Sequence, residues 1–121
     1  MHLLRLTSVA LPAALLVGLA LAKTDHGMVK MTAPEGATDA TKGYVDVMNT
    51  MSMGMLQDFT SDADRDFILG MIPHHQGAVD AARVVLAHGT DPAVRAFAEA
   101  IIAAQAQEIA FMKDWLAKHP Q

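Results

Sequence analysis

Two adjacent histidines, His74 and His75, stand in an apolar stretch that runs Phe67-Ile68-Leu69-Gly70-Met71-Ile72-Pro73-His74-His75-Gln76-Gly77-Ala78-Val79. On a helix turning about 100° per residue, Phe67, Met71, Ala78, Ala82 and Val85 form one stripe, and the two imidazoles flank it on either side of Met71. A single histidine in such a place serves as a core residue hydrogen-bonded to a carbonyl. Two together, a few residues after a thioether, also make a pair of donors for a metal ion. Pro73 cannot donate to the carbonyl of Leu69, so the stretch is expected to break or kink a helix just before the histidines.

Further soft donors recur at helical spacing. Tyr44, Met48, Met51 and Met55 share one face of a helix, with Val47 and Phe59 at its edges and Met53 pointing away. Methionine fills irregular cores, so the stripe alone fits packing. The chain, however, has nine methionines in 121 residues against four phenylalanines and one tryptophan, whereas a core built only for packing would favour leucine. A third stripe, Val94, Phe97, Ala98, Ile101, Ile109, Met112, Trp115 and Leu116, contains Gln105 and Glu108. A carboxylate on a core face needs a partner or a cation, unless it reaches solvent at the stripe's edge.

Three helices are expected to carry these stripes, near 39–59, 62–87 and 92–118, in an all-α antiparallel bundle spanning 38–121. Thr38 or Asp39 opens the first. Ser61-x-x-Asp64 resembles a capping box for the second, which ends at His88-Gly89 with Gly89 free to adopt the left-handed conformation. Asp91-Pro92 restarts the third. Ahead of the bundle, residues 1–22 read as a secretory signal: Arg5, an apolar run from Val9 to Leu21, then Ala20 and Ala22 as the small residues a signal peptidase needs. Residues 23–37 read as a flexible leader bearing His26, Met28 and Met31. The expected location is periplasmic or secreted, with no membrane attachment after cleavage.

There is no cysteine, so an exported chain has no disulfide framework. Nine Lys/Arg, one of them Arg5 in the leading segment, oppose thirteen Asp/Glu, and the net charge of −4 argues against nucleic acid or an anionic membrane as partner.

The set Met71-Ile72-Pro73-His74-His75-Gln76-Gly77-Ala78, preceded by Asp66-Phe67 and followed by Asp91-Pro92 and Ile102-x-x-Gln105-x-x-Glu108-Ile109-x-x-Met112-x-x-Trp115-Leu116, resembles the DUF305 family of exported bacterial helical proteins. The resemblance covers roughly Tyr44 to His119. It implies a ferritin-like bundle and, for members with a known role, binding of copper or silver in the bacterial envelope. Matching candidate ligands are Met48, Met51, Met55, Met71, His74, His75 and Met112, with Gln105 and Glu108 beside them. Two donors common in the family are replaced here, by Ser52 and Ala81.

Three facing stripes are expected to enclose one small pocket. Thioether and imidazole together favour Cu(I) or Ag(I) over magnesium or calcium, and a structural zinc site lacks thiolates. The leading expectation is therefore a non-enzymatic protein that binds or sequesters copper, with another envelope copper-handling protein as a candidate partner. The alternatives are an envelope interaction module with core histidines, and a di-iron oxidase. The oxidase is the weaker of the two, because Glu108-x-x-Phe111 stands where such centres carry Glu-x-x-His. Oligomeric state is not legible.

Overall fold

A computed structural model describes residues 30–121. The expected signal segment, His26 and Met28 lie outside the described residues. Within them the protein is all-helical: α1 is Asp39–Gly54, α2 Ala63–His88 and α3 Pro92–Lys118. Each helix opens on a side chain that satisfies free backbone amides. Thr38 Oγ1 accepts from the Thr41 amide at 3.2 Å. Asp62 accepts from Asp64 and Arg65 at 3.0 and 3.1 Å. Asp91 accepts from Ala93 and Val94, both at 2.9 Å, with Pro92 following in the first turn.

Three local expectations are corrected. α1 stops at Gly54 rather than near Phe59, because the following residues are drawn across to α2: Gln57 Nε2 donates to the Asp66 carbonyl at 3.0 Å, and Thr60 donates its amide and its hydroxyl to Asp66 Oδ1, each at 2.7 Å. Ser61 does not cap α2; its φ of 67° puts it in the left-handed region, and Asp62 takes the capping role. Gly89 is extended, with φ −78° and ψ 147°, and its amide closes on the Val85 carbonyl at 2.7 Å. α2 itself continues through Pro73.

Both helix pairs are antiparallel. Along α1 and α2, Gly43 sits beside Val84, Met51 lies over Gly77, and Gly54 meets Pro73. Along α2 and α3, Arg65 Nη1 donates to the His119 carbonyl at 2.8 Å, His75 meets Glu108, and Arg95 Nη1 donates to the Leu86 carbonyl at 2.8 Å. The backbones of α1 and α3 make no close approach. Helical geometry explains why: at 3.6 residues per turn, Pro73, Gly77 and Val84 lie on one side of α2, and His75, Ala82 and Leu86 on nearly the opposite side. The three helices thus lie side by side, with α2 in the middle.

The buried apolar residues, Ile68, Val79, Ala82, Ala98 and Met112, all belong to α2 and α3, and α1 has none. α1 is held instead by close approach at its glycines. A methyl group added at Gly54 would come within 2.7 Å of Pro73 Cβ, which cannot swing aside. Met31, ahead of α1, is held to it as well: its amide donates to Asn49 Oδ1 and its carbonyl accepts from Asn49 Nδ2, both at 2.9 Å.

Gly54→Ala should lower stability by about 1–3 kcal/mol through overpacking, more than the roughly 1 kcal/mol that alanine gains over glycine in a helix. Urea unfolding measures it, and an unchanged or raised midpoint would show that α1 and α2 separate freely at Pro73. The Thr60 amide, with the Thr60 hydroxyl second, holds the Asp66 carboxyl below its ordinary value of 3.8. A carboxyl whose folded value is depressed adds stability above its unfolded value and loses it as pH falls through the folded one. Asp66→Asn should therefore lower the urea midpoint at pH 7 and flatten the decline that the unaltered protein shows below about pH 4. Identical acid profiles would contradict this tie.

Candidate metal centre

Because neighbours on a helix are rotated by about 100°, the adjacent histidines of α2 have different surroundings. His75 turns toward α3 and is tied at both nitrogens. Nδ1 is 2.8 Å from the Met71 carbonyl, and Nε2 is 2.9 Å from Glu108 Oε2. Both ring nitrogens are therefore engaged, and neither is free for a metal while these contacts stand. His75 becomes a ligand only by leaving Glu108. His74 is exposed, its ring centroid 6.0 Å from that of His75 with the planes at 62°. Among the described residues it makes no side-chain hydrogen bond, so its nitrogens are open to a ligand.

Glu108 does not sit in the core: its side chain is 57% exposed against 19% for His75. The pair is a half-exposed clasp between α2 and α3, where water screens much of the attraction. One turn earlier on α3, the Gln105 Oε1 is buried without a partner.

The methionines divide into three settings. Met112 is sealed in the α2–α3 seam at 4% exposure and acts as packing. Met51 lies across Gly77; a Cβ there would fall 2.6 Å from its Sδ, so the glycine makes room for the thioether one turn from His74. Met48 and Met55, expected to face inward, are each 42% exposed, because among the described residues α1 has a helical neighbour on its α2 side only. Met53 is 64% exposed. Met71 is half-buried.

The expected enclosed pocket is an open face. Tyr44 of α1 and Phe97 and Ile101 of α3 border a groove floored by Ala78, Ala81 and Val85. Along α2, His74 lies eleven residues before Val85 and Phe67 eighteen before it, spacings that return to nearly the same direction. Along α1, Met48 and Met55 lie four and eleven residues beyond Tyr44, on the same side. Met48, Met55, Met71 and His74 thus share the open face, while His75 and Glu108 close its α3 side. Among the described residues no three His, Asp or Glu side chains group as a metal site, so a cation on this face would depend on thioether sulfur. A larger cavity of about 740 Å³ lies at the far end, lined by residues including Arg65, Trp115 and His119. There His119 Nδ1 is 2.7 Å from the Trp115 carbonyl.

A family model described as "Domain of unknown function (DUF305)" matches residues 16–116. The chain belongs to the DUF305 family. No curated protein matches it. The DUF305 match takes in α1, α2 and nearly all of α3, and with them every candidate ligand of the open face and the His75–Glu108 clasp.

Sequence reasoning singled out both histidines and left Glu108 either partnered in the core or reaching solvent at the stripe's edge; it is half-exposed and bonded to His75. The clasp was open to discovery through spacing, since antiparallel α2 and α3 that pair Arg65 with His119 also bring residue 75 level with residue 108. Gly77 and Gly54 carried no signal beyond their identity. Gln105→Leu removes the unpartnered buried oxygen and should leave stability unchanged or raise it by about 1 kcal/mol. A thermal melt checks this, and a loss above about 2 kcal/mol would mean that the amide is hydrogen-bonded in solution.

Proposed function

We propose that this protein binds Cu(I), with Ag(I) as a chemical equivalent, and holds it on the open face of the helical layer. The observation that carries the reading is the company kept there: the thioethers of Met48, Met55 and Met71 share a face with the unengaged imidazole of His74. Soft and borderline donors of this kind select Cu(I) and Ag(I), while hard cations require oxygen ligands in greater number. Met51, lying over Gly77, is within one helical turn of the same place.

The proposal extends to an exported role, periplasmic or secreted, on the strength of the leading segment's charge, apolar run and Ala-x-Ala ending. Donor chemistry fits that setting. Thiolate sites would be lost to disulfides in an oxidising compartment, and a cysteine-free Met/His set avoids that loss. A protein of this kind sequesters copper or hands it to another envelope copper-handling protein. His75 supplies a second imidazole once Nε2 leaves Glu108 and gives up any proton it carries, so metal binding and the α2–α3 clasp compete for one ring nitrogen.

A second reading, an interaction module without metal, is favoured by the exposed aromatic residues Tyr44, Phe67, Phe97 and Phe111. Competition titration against a Cu(I) chelator separates the two. His74→Ala should weaken Cu(I) binding by at least about tenfold, and His75→Ala by less, since that ring must first release Glu108. Both variants should keep their helical circular dichroism. Cu(I) should raise the melting temperature of the unaltered protein with concentration, as any ligand of the folded state does. A melt indifferent to both Cu(I) and Ag(I) would remove the metal reading and leave the interaction module.

A further inference from the structure

A single layer of helices has two faces, and here they differ in chemistry. One carries Gln76, Asp80, Arg83 and Ala87, with Arg83 Nη1 bonded to Asp80 Oδ1 at 2.8 Å. The other is apolar and open. Its groove, of about 280 Å³, runs between Tyr44 and the Phe97–Ile101 edge over a floor of alanines, and every residue lining it is uncharged. Helical domains bury such a face against a second layer, and the described residues supply none.

The exposed area is large enough to identify the kind of cover. Tyr44 is 39% exposed, Phe67 63%, Phe97 67% and Phe111 64%. At about 150–250 Å² per aromatic side chain, these four present roughly 350–580 Å². That alone equals the largest apolar patch of an ordinary monomer. Met48, Met55 and Val94, each between 42% and 50% exposed, add to it. The total approaches the roughly 800 Å² per partner of a standard stable interface.

We propose that a second copy of this chain covers the open face, two-fold related to the first. The face is complementary to itself: it pairs an exposed edge on α3, Phe97 at the groove and Phe111 fourteen residues on and within about 40° of its direction, with a shallow floor of Ala78 and Ala81 on α2. A two-fold axis seats the edge of each copy over the floor of the other. Charge permits the pairing, because a chain of net charge −4 meets its twin across an uncharged groove, keeps Asp80 and Arg83 on the outer faces, and has the half-exposed carboxylate at the α3 side of the groove, Glu108, bonded to His75 of the same chain. Two three-helix layers then enclose one core. Where the Cu(I) reading holds, one further consequence rests on it: Met48, Met71 and His74 lie on the covered face, so a cation there draws ligands from both chains.

The test is sedimentation equilibrium of the purified, metal-free protein. The expected mass is twice that of the chain. Phe97→Glu and Phe111→Glu, at residues that the fold of one chain leaves exposed, should each raise the dissociation constant of the dimer by roughly a hundredfold, because a charge is buried without a partner. Ala87→Glu, on the polar face, should leave it unchanged. Hydroxyl-radical labelling of the unaltered protein needs no variant to fold: labelling of Phe97 and Phe111 should rise on dilution. A monomer at about 100 μM, where a standard interface would be saturated, overturns the proposal, as does a dimer indifferent to both glutamates. A monomer with Phe97 shielded from labelling also overturns it. Since mass is read without metal, a failure of copper binding leaves the dimer result intact, and a monomer leaves the copper titration intact.

Discussion

Everything in this structure depends on α2 being packed along two nearly opposite flanks. One flank meets α3 through Ile68, Val79 and Ala82 against Ala98 and Met112, the only apolar side chains described as buried. The other meets α1 at a distance only glycine permits, Gly54 against Pro73 and Gly77 under Met51. A helix with two occupied flanks has two remaining faces, and both of those are exposed. On one of them lie Gln76, Asp80 and Arg83. On the other are the alanine floor, the aromatic edges and the sulfur donors.

The histidine pair gains its asymmetry from the same constraint. Positions 74 and 75 straddle the border between the α3 flank and the open face, so one step along the chain separates a tied imidazole from an available one. His75 is held by the Met71 carbonyl and Glu108, and helps to fix α3 against α2. His74 is left to solvent or ligand. Two residues of identical chemistry thus acquire different roles through helix geometry alone, and Pro73 just before them packs against Gly54, holding α1 close to both.

Much of this was legible in the sequence wherever a local rule decides the outcome. Thr38 and Asp91-Pro92 begin their helices as capping chemistry requires, and the all-α class with three helices follows from periodicity and those caps. The family motif around His74 and His75 identified DUF305 before any coordinates. Local rules failed where a distant residue intervened. Gly54 is itself a stop signal that the methionine stripe running on to Met55 overrode, and the chain beyond it is held by Asp66 and its backbone carbonyl drawing in Thr60 and Gln57 from across the turn. Ser61 reads as a cap until the same pull forces it into the left-handed region and Asp62 replaces it. Stripe analysis assigns residues to faces correctly but assumes that an apolar face is covered. Met48 and Met55 lie on the expected face of α1, and no described helix covers it. The enclosed pocket became an open surface for that reason.

The central claim is that sulfur and imidazole on the open face hold copper together, and X-ray absorption of the Cu(I)-loaded protein tests it most directly. The account predicts a first shell in which thioether sulfur predominates, with outer imidazole scattering that falls in His74→Ala. A first shell of nitrogen and oxygen alone, unchanged by that substitution, would contradict it.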